Sequence, residues 1–191
     1  MSMSETSSVP AAAPGTMLSP QLALACHAIR LAAVVWIVWA LAAILWLWSD
    51  PARVARTYGH LLKLDLAGLS ATQHVGSFAI LLVDWTFSAL LVLFVWRLFG
   101  HFLAGRILTM DAADEMRRLG CAGIAAMVVD VAARPAVAAT LSSHVAAGSG
   151  RFDIWGQPND LLHIMMALFI VVVASVLRTG VAIADEHRQI V

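Results

Sequence analysis

Residues 96–120 read WRLFGHFLAGRILTMDAADEMRRLG. This is a long polar interruption that is both basic and full of helix-start signals. Gly105 is the natural break between an outgoing helix and a new one. Thr109 can cap that new helix, with Asp111, Asp114 and Glu115 early and Arg117 and Arg118 later, the order that favours the helix dipole. An apolar segment long enough to cross a bilayer stands on each side. The stretch therefore reads as a hinge between two antiparallel membrane spans.

Working outward, the second span runs from Val75 to Trp96 with one interruption, Asp84. The third, Leu119 to Leu141, is rich in Ala and Gly and carries Asp130, Arg134 and Pro135. Small residues let helices approach closely in lipid, so this span should be the most enclosed. The first span, Leu31 to Trp48, is uncharged and ends in Trp46 and Trp48. At about 1.5 Å per residue it is just long enough for the hydrocarbon core. The fourth, Leu161 to Leu177, follows a breaker-rich loop with Asn159 or Asp160 as its cap. Between the first two spans, Val54, Tyr58, Leu61, Leu62, Leu66 and Leu69 recur at near-helical spacing. That pattern fits a short interfacial helix or a helix capping the bundle end. Residues 1–28 read as a disordered tail ahead of a four-span domain, 29–191; the first of them are rich in Ser, Ala, Pro and Thr and lack the basic start of a signal peptide.

Composition agrees. The chain is 61% hydrophobic and 13% charged. Soluble domains carry about 25% charged residues, so this chain could not cover a water-facing surface. The expected fold is all-α, an integral membrane four-helix bundle. Net charge is zero, which gives no support for direct nucleic-acid binding. Cys26 and Cys121 are far apart and form no CxxC pattern. Arg30, Arg97, Arg106, Arg117, Arg118, Arg178 and Arg188 fall on one side of the spans; Arg53, Arg56, Lys63 and Arg151 fall on the other. The excess predicts both termini in the cytoplasm.

The hinge and tail resemble a bacterial membrane-protein family, domain of unknown function 2975 (DUF2975). The resemblance rests on Phe99, Gly105, Arg106, Ile107, Leu108, Thr109, Arg117, Arg118 and Gly120, then on Val176, Leu177, Gly180 and Glu186. The chain departs from the family at Leu108, commonly Phe, and at His187, commonly Asn. The resemblance implies a four-span, multi-pass protein of the bacterial inner membrane without established biochemistry. Such genes often lie beside a small helix-turn-helix regulator, which implies a membrane-linked regulatory role and a cytoplasmic partner for the hinge. It brings no catalytic residues.

The intramembrane charges are the sharpest chemical signal. In antiparallel spans Asp84 and Asp130 both lie near the midplane, and Arg134 shares a helix face with Asp130. A charge at the bilayer centre costs about 2.5–3.5 kcal/mol, so each should face inward and find a partner. One reading is a static clamp in which Arg134 bridges Asp130 and Asp84. The other is a proton-exchanging carboxylate in a small proton-coupled carrier or channel. His60, His74, His144 and His163 gather toward the side opposite the hinge. They lack the spacing of a built metal site, and they lie at span ends rather than facing each other as haem ligands do. No metal or other cofactor is expected. His27, Cys26, His101 and Cys121 fall near the hinge side, with the cysteines read as small apolar filler. No GxSxG, P-loop, GxGxxG or HExxH string occurs, so the chain gives no support for an enzyme.

Overall fold

The computed structural model describes residues 19–66, 68–107, 109–143 and 158–189. Among them the chain forms five helices: α1 Pro20–Trp48, α2 Pro51–Leu62, α3 Ala71–Leu103, α4 Met110–Ser142 and α5 Pro158–Gln189. No strand occurs among the described residues. All but α2 are long and apolar enough to cross a membrane, which points to a multi-pass membrane protein. The predicted spans sit inside longer helices, because polar residues at their ends continue the turn rather than break it.

The largest boundary difference is at α1. Residues 20–28, assigned above to the tail, are helical. Ser19 is the N-cap, its hydroxyl accepting from the Leu22 N–H at 3.3 Å, and Pro20 fills the first helical position where no N–H is needed. Residues 1–18 of the predicted tail, and His144 and Leu108, lie outside the described residues.

The long helices pack in a row, α1 on α3, α3 on α4 and α4 on α5, with little between α1 and α5. Among the hydrogen bonds that tie α1 to α3 are two part-buried ones. Trp85 donates its indole N–H to the Ile37 carbonyl at 3.0 Å, and His74 Nε2 lies 2.9 Å from the Trp48 carbonyl. Trp36, Trp39 and Trp46 face outward, as a lipid-facing span requires, while Trp48 turns inward against Tyr58 and Phe78. α4 is the most enclosed helix, burying Ala112, Ala113, Glu115, Gly120, Met127, Ala133, Val137 and Leu141. A Cβ on Gly120 would meet the Val171 side chain at 2.5 Å and the Ala167 carbonyl at 3.1 Å, so α4 and α5 approach there as only glycine permits.

α2 caps the end opposite the hinge. Asp50 accepts from the Ala52 N–H at 2.9 Å and Pro51 opens the helix. Val54 and Leu66 then sink into a cluster with Trp48, Val137 and Leu141, Val54 having no exposed surface at all. Burial pushes the neighbouring Tyr58 phenol above its ordinary range. Gln73 and Ser143 share a hydrogen bond of 2.8 Å that joins the starting turn of α3 to the end of α4.

Candidate functional site

Two charged clusters sit on the α4–α5 seam, one toward each end. The first is built on Arg134. α3 and α4 run antiparallel, with Gly76 against Thr140, Leu91 against Gly123 and Arg97 against Glu115. That register sets Asp84 opposite Asp130, midway along both. The guanidinium of Arg134 bonds Asp130, one helical turn back. Its other partner is Asp160, whose oxygens accept at 2.8 and 3.1 Å.

The clamp therefore joins α4 to α5 and not to α3. Its second carboxylate is Asp160, where the sequence reading had Asp84. The reason is the stagger of α5, which begins at Pro158 level with Arg134 while α4 continues about two turns further, roughly 12 Å. Asp160 stands in the first turn of α5, where the dipole favours a carboxylate, and it is buried. Asp84 is near enough for Asp130 and Arg134 to act on its charge, but it forms no ion pair among the described residues.

The second cluster is the hinge. α3 ends at Leu103. Gly105, at φ 73°, reverses the chain and lets the Arg106 N–H reach the His101 carbonyl at 3.0 Å. Thr109 accepts from the Ala112 N–H at 3.2 Å and opens α4. Glu115 is almost wholly buried, and its Oε1 takes Arg97 at 2.8 Å and Arg118 at 3.1 Å, stapling α3 to α4. The other oxygen, Oε2, is buried without a hydrogen-bond partner among the described residues. One residue earlier Asp114 meets Arg178 of α5 at 3.7 Å. Arg106 and Arg117 are exposed and form no ion pair among the described residues.

Arg97, Gly105, Arg106, Thr109, Arg117 and Arg118 thus occupy one end of the molecule, and Asp84, Asp130 and Arg134 lie together farther in. Sequence reasoning overlooked three carboxylates as partners: Asp114, Glu115 and Asp160. Glu115 stands three residues before Arg118, a readable signal, whereas the Asp114–Arg178 pair crosses to α5. Asp160 needed the α4–α5 register, which spacing alone does not supply.

Among the described residues the histidines do not converge. His60 and His163 are exposed on different helices, and His74 contacts the Trp48 carbonyl. Among the described residues no three His, Cys, Asp or Glu side chains are placed to hold a metal ion. Cys26 is buried and Cys121 exposed, both as free thiols.

Residues 68–191 match the family model described as protein of unknown function (DUF2975), so the chain belongs to that family. The match covers α3, α4 and α5 with the hinge and the tail. No curated protein and no solved structure matches the chain.

Proposed function

We propose that this DUF2975 member is a non-enzymatic, regulatory protein of a bacterial inner membrane. In this reading both termini face the cytoplasm, and the hinge and tail form one docking face for a soluble partner, a small helix-turn-helix regulator. The observation that carries it is the Asp114–Arg178 pair. It brings the start of the tail helix beside the hinge helix, so Arg106, Arg117, Arg118 and Arg178 stand on one end of the molecule. The Arg97–Glu115–Arg118 staple holds that end rigid, and α5 carries the face onward to Gln189. The excess of arginines on the hinge side favours its placement in the cytoplasm.

The test uses the full chain in nanodiscs and the helix-turn-helix protein encoded beside its gene. Binding is expected, with a loss of roughly tenfold or more when Arg117 and Arg178 are both replaced by Glu, because like charges then oppose the docking. Absence of binding by the unaltered chain overturns the proposal.

A second reading rests on Asp84. Its carboxyl is set in the middle of α3 beside a charge cluster whose ion pair is made by other residues. A protonatable carboxylate in that position suits a proton-coupled carrier or channel. Proton-dependent flux in liposomes, abolished by Asp84→Asn with folding intact, is the expected result. No flux from the unaltered protein removes this reading.

A further inference from the structure

At the hinge end of the α4–α5 seam lies an open recess of about 360 Å³, lined by Asp114, Arg117, Arg118, Cys121 and Arg178. Three guanidinium groups meet one carboxylate there. That carboxylate is loosely held, Asp114 reaching Arg178 at 3.7 Å. Arg118 shares Glu115 with Arg97, and Arg117 is exposed with no ion-pair partner among the described residues. The recess is therefore cationic in excess. Planar guanidinium donors match the oxygens of a phosphate or carboxylate group bidentately.

The depth of the recess points to the source of that phosphate. Arg178 follows Leu177, the last residue of the apolar run of α5, and Cys121 stands where α4 passes from charged to apolar residues. The recess thus lies at the level where a membrane passes from hydrocarbon to headgroup. Below it the same face of α4 continues as an exposed apolar stripe, Cys121, Ala125 and Val128, at helical spacing. A soluble phosphate has no use for that stripe, whereas a lipid can lay an acyl chain along it.

We propose that this recess binds the phosphate headgroup of an anionic phospholipid, held by Arg117, Arg118 and Arg178. The site stands on its own, whether or not a soluble partner docks at the hinge. Basic pockets between transmembrane helices are a known mode of anionic-lipid recognition, and the electrostatic gain is carried by each arginine separately.

The molecule carries its own reporter. Cys121 lines the recess and is exposed, while Cys26 is buried, so a thiol reagent reads the recess alone. The full chain is purified in neutral detergent micelles and treated with an uncharged maleimide. Dioleoyl phosphatidylglycerol, dioleoyl phosphatidylcholine or inorganic phosphate is added. Phosphatidylglycerol is expected to slow modification of Cys121 roughly tenfold, and phosphatidylcholine hardly at all. In Arg117→Gln/Arg178→Gln the protection is expected to fall to about twofold or less. Equal protection by the two lipids overturns the proposal, as does undiminished protection in the double variant. Protection by inorganic phosphate at millimolar level reassigns the recess to a soluble phosphate and overturns the lipid assignment. Should the double variant fail to give the helical circular dichroism of the unaltered chain, the comparison of the two lipids on the unaltered chain decides.

Discussion

The two ends of the α4–α5 seam are made from the same chemical groups in different proportion. Toward α2, one guanidinium, Arg134, is met by two carboxylates, Asp130 and Asp160. Toward the hinge, Arg97, Arg117, Arg118 and Arg178 outnumber Asp114 and Glu115. The first cluster joins two helices and turns its charges on one another. The second also joins helices, through Glu115, but leaves cations facing outward. The count of charges therefore separates a fastening from a surface that can take a partner. In a low-dielectric setting the distinction is strong, since a charge without a partner there is costly.

That contrast can be broken by substitution. The largest effect is expected from Arg134→Leu, which removes the cation that both Asp130 and Asp160 bond. A loss of roughly 3 kcal/mol is expected, read by denaturant unfolding in micelles followed by circular dichroism. Adding Asp130→Asn and Asp160→Asn should recover much of it; no recovery would mean that Arg134 acts by packing and not by charge. Next comes Gly120→Val, whose side chain collides with Val171 and Ala167 between the clusters, nearer the hinge. A cost of about 2 kcal/mol is expected, with accelerated labelling of Cys121 as the helices part. Glu115→Gln is expected to cost about 1–2 kcal/mol, since it weakens two charge-assisted hydrogen bonds at a buried site while keeping the shape. Arg117→Gln should change stability by less than about 0.5 kcal/mol, as an exposed side chain outside any ion pair. A large loss there would erase the difference between the two ends, because the hinge would then be a fastening as well.

Much of this architecture is legible in the chain. The long apolar runs mark four helices, Thr109 and Gly105 mark the hinge, and the small residues of the third span mark the enclosed helix. These are local signals, set by composition and capping over a few residues. The start of α1 was also written locally, in Ser19-Pro20, but the surrounding Ala, Ser and Pro masked it. Other features depend on contacts between distant parts of the chain. Periodicity shows that α2 has an apolar face, and only the packed structure shows that Val54 and Leu66 meet Val137 and Leu141. Likewise the two aspartates of the middle spans are visible at once, whereas the pairing of Arg134 with Asp160 depends on where α5 begins relative to α4. Register between helices is a property of side-chain fit along the seam, here the approach at Gly120 and Gly123, and no single segment encodes it.

The stagger of α5 has a mechanical side. Its ion pairs to α4, at Asp160 and at Arg178, are roughly 27 Å apart at about 1.5 Å per residue, close to the thickness of a hydrocarbon core. Between them α4 and α5 approach closely at Gly120 and Gly123, with Val171 and Ala167 seated against the glycines. Such a joint resembles a rod bolted tightly at Asp160 and more loosely at Arg178. Sliding α5 along its axis must strain both bolts together, while swinging one end loads only the nearer bolt. A push applied at the tail is thus carried the length of the rod to Asp160, beside the carboxylates of the middle helices, as displacement rather than as a relay of local rearrangements.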